Sequence, residues 1–100
     1  MRSLEEVREV LRAYREDIRE RYGVEIVGIF GSYARGENSP GSDVDILVDV
    51  KRPIGLKFLE LWDYLEEILK VKADLLTIGA LRQKPKLLAS IMEDLVYIGR

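Results

Sequence analysis

The sequence contains neither cysteine nor histidine among its 100 residues. The absence of cysteine excludes disulfide bonds, thiolate metal ligands and a cysteine nucleophile. The absence of histidine means that proton transfer near neutral pH has to use carboxylates, lysine, tyrosine or water. A catalytic role for this chain would therefore depend on one of these remaining groups.

The sequence also lacks a hydrophobic run long enough to cross a membrane, and its first residues, MRSLEEVREV, do not resemble a signal peptide. We therefore expect a cytoplasmic protein with no membrane partner. A strong net charge is missing too, because 16 basic and 18 acidic residues leave a net charge of −2. Since no overall positive field attracts nucleic acid, direct binding to duplex nucleic acid is not expected.

Proline is scarce, with three residues, glycine occurs eight times, and 47% of the residues are hydrophobic. This composition is typical of a chain that folds. One hundred residues suffice for one core, and we predict a single domain spanning residues 1–100. Such a domain leaves little room for a separate lobe that binds a second substrate.

The hydrophobic pattern predicts an α/β (α+β) domain in which helices pack against a small mixed sheet, in the order α-β-β-α-β-α-β. A Gly-, Ser- and Pro-rich loop, with one helical turn near residues 33–35, separates the first two strands. The predicted elements are a helix between Ser3 and Gly23, strands 24–30 and 43–50, a helix 55–70, a strand 71–78, a helix 85–94 and a strand 95–99.

Both long helices carry a hydrophobic stripe that predicts their buried faces. In the first helix the spacing alternates between three and four residues, which is typical of an amphipathic helix. The predicted buried residues are Leu4, Val7, Leu11, Tyr14 and Ile18 in the first helix, and Leu56, Leu59, Trp62, Leu65, Ile68 and Leu69 in the second.

Two aspartates, Asp43 and Asp45, stand at the head of the second predicted strand. Residues two apart in a strand share a face and lie about 6–7 Å apart, so these two carboxylates repel each other. A divalent cation resolves this conflict, and Mg²⁺ commonly takes one or two carboxylates together with phosphate oxygens and water. Asp74 interrupts the apolar strand 71–78. If that strand lies beside strand 43–50, three carboxylates could hold two metal ions about 3.5–4 Å apart.

A glycine and a serine, Gly31 and Ser32, directly follow the first predicted strand. Glycine lets the backbone approach an anion closely, and a following helical turn offers free N–H groups to phosphate. Arg35 is near enough to bind a phosphate oxygen. We include Ser42, which precedes the first aspartate, in the same predicted nucleotide-binding set. Together with the aspartates, these residues predict a site for a nucleoside triphosphate.

Each of these features has a simpler explanation when it is taken alone. Asp43 and Asp45 could serve strand-end solvation or turn capping, Gly31-Ser32 could be a plain turn, and Asp74 could protect an edge strand. A basic stretch near the last helix, formed by Arg82, Lys84 and Lys86, could be a solvated loop or a contact for triphosphate or an acidic partner. The order and spacing of the whole set argue for the nucleotide site.

The segment GSYARGENSPGSDVDILV resembles the DNA polymerase beta-like nucleotidyltransferase superfamily. Gly31-Ser32, ten residues and then Asp43-Val44-Asp45 match its G-S-x10-D-x-D signature. The segment looks like the minimal nucleotidyltransferase branch, whose members often act as antitoxins of HEPN-type toxins. The resemblance is strongest over residues 29–50, and Asp74 takes the place of the family's third carboxylate.

This resemblance implies a magnesium-dependent transfer of AMP from ATP to a hydroxyl, with release of pyrophosphate. Asp43, Asp45 and Asp74 would be the catalytic residues and would hold two Mg²⁺ ions, and Asp74 would help to deprotonate the attacking hydroxyl. Gly31 and Ser32 would bind the terminal phosphates. The implied acceptor is a tyrosine of a partner HEPN-type toxin, which would make this protein the antitoxin of a toxin–antitoxin system.

Two other functions remain open at the level of sequence. A non-catalytic module could neutralise the toxin by occluding its surface, although such a protein has no reason to keep clustered carboxylates. Nucleotidyl transfer to a small molecule such as an aminoglycoside is the third possibility, and the lack of room for an acceptor-binding lobe weighs against it.

Overall fold

The structure, a computed structural model, describes residues 3–98 of the protein. The predicted elements are present in these residues, including the helical turn expected near residues 33–35, and one further short helix is added. The end of the predicted last strand, Gly99, lies outside the described residues. The elements are α1 (Leu4–Tyr22), β1 (Val24–Phe30), α2 (Gly31–Arg35), β2 (Val44–Val50), α3 (Lys57–Leu69), β3 (Ala73–Thr77), α4 (Ile78–Leu81), α5 (Pro85–Asp94) and β4 (Val96–Tyr97).

The four strands form one mixed sheet in the order β3-β2-β1-β4, which confirms the predicted fold class. β1 is antiparallel to β2 and to β4, whereas β2 and β3 are parallel. Since β2 and β3 run in the same direction, they begin at the same edge of the sheet. Because β1 runs the opposite way, it ends at that edge. The connection between β1 and β2 and the segment that leads into β3 therefore meet there.

Helix α1 has a capping box and a left-handed C-cap, as its sequence predicts. Glu6 N–H donates to the Ser3 hydroxyl at 3.2 Å, and Ser3 N–H donates to the Glu6 carboxylate at 3.0 Å. Gly23 ends the helix with a φ of 68°. The buried face is confirmed at Val7, Leu11 and Ile18, whereas Leu4 is only partly buried. Tyr14 is 39% exposed and packs edge-on against Tyr64 of α3.

The predicted inner face of α3 is wrong at its beginning. Leu56 and Leu59 are 82% and 57% exposed. Residues four apart share a helix face, and in this helix Leu61, Leu65 and Leu69 are completely buried. This spacing turns Leu59 toward solvent, and Leu56 precedes the helix, which begins at Lys57.

The hydrophobic core lies on both faces of the sheet. Alternate residues of β2 (Val44, Ile46 and Val48) belong to the larger cluster, which includes buried residues of α1 and α3. Leu47 points to the other face and belongs to the smaller cluster. Asp45 shares this second face with Leu47, so burying the first set of side chains directs the Asp45 carboxylate away from the larger core. The buried members of the smaller cluster are Phe30, Leu47, Leu81 and Ile91.

Candidate active site

Asp45 and Asp74 are register partners on the parallel strands β2 and β3. Neighbouring strands lie about 4.8 Å apart, and in-register partners present their side chains on the same face of a sheet. Asp45 is partly buried, whereas Asp74 is exposed. Asp43 is also exposed and lies immediately before β2, two residues from Asp45. The predicted adjacency of the two strands is therefore present, and it brings the second and third aspartates side by side.

The electrostatics of the site link these three carboxyl groups. Burial raises the pKa of the Asp45 carboxyl above its ordinary value, and the negative charges of Asp74 and Asp43 raise it further. The positive charge of Arg35 acts in the opposite direction and lowers it. The ionised form of Asp45 is therefore disfavoured by its own surroundings, and an added cation near the pair would favour it.

The acidic residues fit Mg²⁺ as part of a complex with substrate. Within residues 3–98, no group of three or more acidic side chains forms a ready-made metal site. The convergence of Asp43, Asp45 and Asp74 on one metal centre therefore stays a prediction. Mg²⁺ is usually bound through one or two carboxylates plus substrate phosphates and water, so a closed protein cage is not required. The observation that fits a cation is the raised pKa of Asp45, because a bound cation would offset the burial and the carboxylate repulsion that raise it.

Gly31 lies against the carboxylate of Asp45. Its φ of 75° falls in the left-handed region that glycine adopts without strain. A Cβ atom at this position would overlap Asp45 Oδ2 and would lie 3.0 Å from Asp45 Cγ. Because β1 pairs Phe30 with Asp45, the turn that follows β1 is held directly beside the acidic pair. The glycine thus meets two demands at once, a left-handed backbone and the space that the carboxylate fills.

The helical turn predicted near residues 33–35 is confirmed as α2, and it begins two residues earlier, at Gly31. Phe30 occupies its N-cap position and makes no side-chain hydrogen bond to the first turn. Ser32 therefore lies in a first turn whose N–H groups receive no hydrogen bond from the side chain of Phe30. This arrangement is compatible with the predicted binding of phosphate by Gly31 and Ser32, which stays a prediction.

Arg35 has structural partners as well as a predicted role in binding nucleotide. Its guanidinium donates to Glu37 and to Asp94, each at 2.9 Å, and thereby ties α2 to α5. Its charge also reaches Asp45, whose pKa it lowers. The charge of Arg35 therefore reaches the site, while its guanidinium also joins α2 to α5.

Ser42 holds the loop that leads into β2. Its N–H donates to Ser39 O at 2.9 Å, and its hydroxyl accepts from Ser39 N–H at 2.9 Å. The predicted role of Ser42 in binding nucleotide is untested, and the structure shows in addition that it fixes the turn directly before Asp43.

A model of the nucleotidyltransferase domain matches residues 11–98, which include every residue of the candidate site. The chain belongs to the nucleotidyltransferase domain family. The resemblance that was based on Gly31-Ser32 and Asp43-Val44-Asp45 is therefore confirmed, and the protein is a nucleotidyltransferase.

Relatives of this nucleotidyltransferase align with it from end to end. It is 43% identical over 99 residues to "Protein adenylyltransferase MntA" of Thermococcus cleftensis, covering 98% of each chain. It is 44% identical over 99 residues to "Putative protein adenylyltransferase MJ0126" of Methanocaldococcus jannaschii, covering 98% of this chain and 100% of that one. A solved chain described as "Structure of putative minimal nucleotidyltransferase" matches with a TM-score of 0.70 and 33% identity, covering 89% of this chain and 93% of that one.

The structure of this nucleotidyltransferase also shows a support for Asp74 that the sequence did not indicate. The residue before it, Ala73, is held on both sides of its backbone by side chains of α3. Ala73 N–H donates to the Glu66 carboxylate at 2.8 Å, and Trp62 Nε1 donates to Ala73 O at 2.7 Å. Trp62 was predicted to be a simple core residue. The contact depends on how α3 packs beside β3, which no local pattern in the sequence reports.

None of the helices in residues 3–98 is both long and apolar enough to cross a membrane.

Proposed function

We propose that this nucleotidyltransferase transfers AMP from ATP to a hydroxyl group of a partner protein in a magnesium-dependent reaction. The observation that carries the proposal is the pairing of Asp45 with Asp74 in register, with Gly31 packed against the Asp45 carboxylate. The protein acceptor and the adenylyl group are supported by the relatives, which are named protein adenylyltransferases.

In the proposed reaction the acceptor oxygen forms a bond to the α-phosphorus of ATP, and the bond from that phosphorus to the bridging oxygen of the β-phosphate breaks. Pyrophosphate leaves, and the hydroxyl proton passes to Asp74 or to water. Gly31 and Ser32 orient the terminal phosphates, and Asp43 and Asp45 face the reacting phosphate. No histidine is needed, since a carboxylate accepts the proton.

Asp43, Asp45 and Asp74 are the residues that would hold magnesium. When bound, the ions would neutralise charge on the phosphates and on the attacking oxygen. The contribution of the chain itself is to position the substrate groups and to place a partly buried carboxyl, whose ionised form a cation would stabilise, beside them. Catalysis of phosphoryl and nucleotidyl transfer rests largely on such positioning and charge stabilisation.

The acceptor that we propose is a tyrosine of a HEPN-type toxin, which this protein would silence as its cytoplasmic antitoxin. The resemblance of residues 29–50 to the antitoxin branch supports this identity. The match covers 100% and 98% of the two relatives, so those proteins hold little beyond such a domain. A protein partner would then bring the acceptor hydroxyl to the site.

The proposal is tested by incubating the protein with ATP labelled at the α-phosphate, Mg²⁺ and the toxin produced with it. We expect label on the toxin with the wild type and none with the double variant Asp43→Ala/Asp45→Ala. Equal labelling by the two proteins would contradict the proposal.

Two outcomes would favour the other functions. Full neutralisation of the toxin by the double variant, without any label, would identify a module that acts by occlusion. Turnover of a small hydroxyl compound such as an aminoglycoside, in the absence of any protein partner, would identify transfer to a small molecule.

Omitting Mg²⁺ from the same assay tests the dependence on metal, and an unchanged rate after addition of a chelator would contradict it.

A further inference from the structure

The basic segment of residues 82–86 is a predicted feature that the proposed function does not use. It contains Arg82, Lys84 and Lys86, and all three residues are exposed. Residues 75–92, which surround it, contain no aspartate or glutamate. The segment is therefore locally positive on a chain whose net charge is −2.

These three cations lack the intramolecular partners that most other basic residues have. Within residues 3–98, Arg82, Lys84 and Lys86 form no ion pair and no side-chain hydrogen bond. Basic side chains elsewhere bind carboxylates or backbone oxygens, namely Arg8, Arg12, Arg19, Arg21, Arg35, Lys51 and Arg52. Because no carboxylate of the chain neutralises the charges of the basic segment, they are available to a partner.

The stability of α5 does not explain the two lysines. Lys84 is the N-cap residue of this helix and makes no side-chain cap hydrogen bond. Lys86 lies in the first turn, which contains no acidic residue. The start of a helix carries partial positive charge, so cations are unfavourable there. Residues that act against local stability in this way indicate a requirement outside the fold.

An exposed leucine adjoins the basic segment. Leu87 follows Lys86 in α5 and is 45% exposed, whereas Ile91, about one turn further along the helix, is buried. Protein–protein interfaces combine an apolar centre with a polar and charged rim. Leu87 and the unpaired cations therefore have the composition of a small contact for another protein.

The basic segment lies one helix length from the contact that ties α5 to the phosphate turn. α5 ends at Asp94, which accepts from the Arg35 guanidinium of α2 at 2.9 Å. The ten residues of α5 span about 15 Å. The cation whose charge lowers the pKa of Asp45 is Arg35. Of the interpretations that the sequence left open, these relations favour contact with an acidic partner over contact with triphosphate.

We propose that Arg82, Lys84, Lys86 and Leu87 form a docking surface for an acidic segment of the acceptor protein, with an apolar side chain of that segment packed against Leu87. The inference rests on the proposed function, which needs a protein acceptor in a domain with little room for an acceptor-binding lobe. Three cations are too few to hold nucleic acid or an anionic membrane, because such binding grows with the number of charges that are neutralised.

The test uses the toxin of the adenylylation assay and measures its affinity by calorimetry and its KM by steady-state kinetics. We expect Lys84→Glu/Lys86→Glu to raise both the Kd and the KM for the toxin by about tenfold or more and to change the KM for ATP less than about twofold. The variant should unfold at no lower temperature than the wild type, because glutamate suits the start of a helix. Raised salt should weaken toxin binding by the wild type and have little effect on the double variant.

The matched control is Lys57→Glu/Lys70→Glu, which makes the same change of charge at exposed lysines on the two ends of α3. This control should bind the toxin like the wild type. The apolar part of the surface is tested by Leu87→Ala, which should weaken toxin binding about threefold or more. Its control is Leu59→Ala, at a leucine of α3 that is 57% exposed, and this variant should keep the wild-type affinity.

The outcomes separate this inference from the proposed function. No binding of the toxin by the wild type would overturn both. Weaker toxin binding by Lys84→Glu/Lys86→Glu, without labelling of the toxin by the wild type, would support the docking surface and overturn the transfer reaction. Equal toxin affinity in the wild type, in Lys84→Glu/Lys86→Glu and in Leu87→Ala, with labelling intact, would overturn the docking surface alone.

Two further results would assign the basic segment to another ligand and overturn the docking surface. The first is a raised KM for ATP in the double variant with unchanged toxin affinity, because the segment would then contact triphosphate. The second is binding of a labelled RNA oligonucleotide that the double variant loses while it still binds the toxin like the wild type, because the segment would then bind nucleic acid.

Discussion

Gly31 and Asp45 are packed so closely that a side chain at residue 31 would occupy the space of the Asp45 carboxylate. The two residues lie at the junction of β1 and β2, where the antiparallel pairing places the end of one strand beside the start of the other. The phosphate turn and the acidic pair are therefore parts of one packed unit, and each limits the side chains that the other accepts.

We expect Gly31→Ala to reduce nucleotidyl transfer by about 100-fold or more, because the added methyl group displaces Asp45. The left-handed backbone adds a stability cost of about 1–2 kcal/mol. Gly36→Ala is the matched control, since Gly36 has a φ of 72° and nothing lies within 4 Å of its added Cβ. It should lose similar stability in a denaturant titration and keep its activity. Equal activity losses in the two variants would contradict this explanation.

Asp45→Asn should abolish transfer and at the same time raise the thermal midpoint of unfolding. Folding raises the pKa of Asp45, so its ionised form is less favourable in the folded chain than in the unfolded chain, and asparagine removes this penalty. The gain should be present above the raised pKa and should disappear as the pH falls below the ordinary aspartate pKa. We expect at most about 4 °C, because solvent screens the charges. Calorimetric scans at several pH values measure it.

Asp63→Asn removes the same charge from an exposed position on α3 and serves as the control for Asp45→Asn. It should leave both activity and the pH profile of stability close to those of the wild type. A lower midpoint for Asp45→Asn at neutral pH would contradict the electrostatic penalty. Added Mg²⁺ and ATP should stabilise the wild type and not Asp45→Asn, because ligands that bind only the folded state raise its stability.

Glu66 and Trp62 should position Asp74 through the backbone of Ala73. We expect Glu66→Ala to lower kcat on the order of tenfold, with little change in the KM for ATP. Glu66→Gln retains an oxygen that can accept from Ala73 N–H, so it should recover most of the lost activity. Trp62→Phe keeps an aromatic ring beside Phe58 and loses the donor to Ala73 O. It should therefore lower kcat about as much as Glu66→Ala does.

Steady-state kinetics at saturating acceptor, together with thermal midpoints, separate positioning of Asp74 from a loss of fold. If Glu66→Gln were as slow as Glu66→Ala while both remained fully folded, the hydrogen bond to Ala73 would not be the cause. If the loss of kcat followed the fall in the thermal midpoint across all three variants, the role of these residues would be purely structural.

Arg35→Gln and Asp94→Asn distinguish the two roles of Arg35. Both changes break the ion pair between α2 and α5, which is partly exposed, and each should cost less than about 1 kcal/mol of unfolding free energy. Only Arg35→Gln also removes a cation near Asp45. We expect it to raise the KM for ATP about tenfold, whereas Asp94→Asn should leave the KM unchanged or lower it. Equal KM values for the two variants would assign Arg35 to the fold alone.

Local patterns explain why much of this protein was predictable. The capping box at Ser3, the left-handed Gly23 and the strand alternation around Asp45 depend on neighbours within a few residues. The buried face of α3 was predicted less well, because Leu56 and Leu59 continue a hydrophobic stripe whose limits are set by packing against other elements. The helix α4 was missed for a related reason, since its four residues directly follow β3 without a break in hydrophobicity.

The sequence by itself determined which chemistry is available to this protein. Because cysteine and histidine are absent, the side chains that could bind a metal are oxygen ligands. Gly31-Ser32 and the three spaced aspartates add a turn suited to phosphate and the carboxylates suited to a cation. Only the tertiary structure decided that Asp74 stands beside Asp45, and that Glu66 and Trp62 hold the residue before Asp74. These relations join residues that are distant along the chain. They depend on the strand order and on the burial of both sheet faces, which are properties of the folded core as a whole.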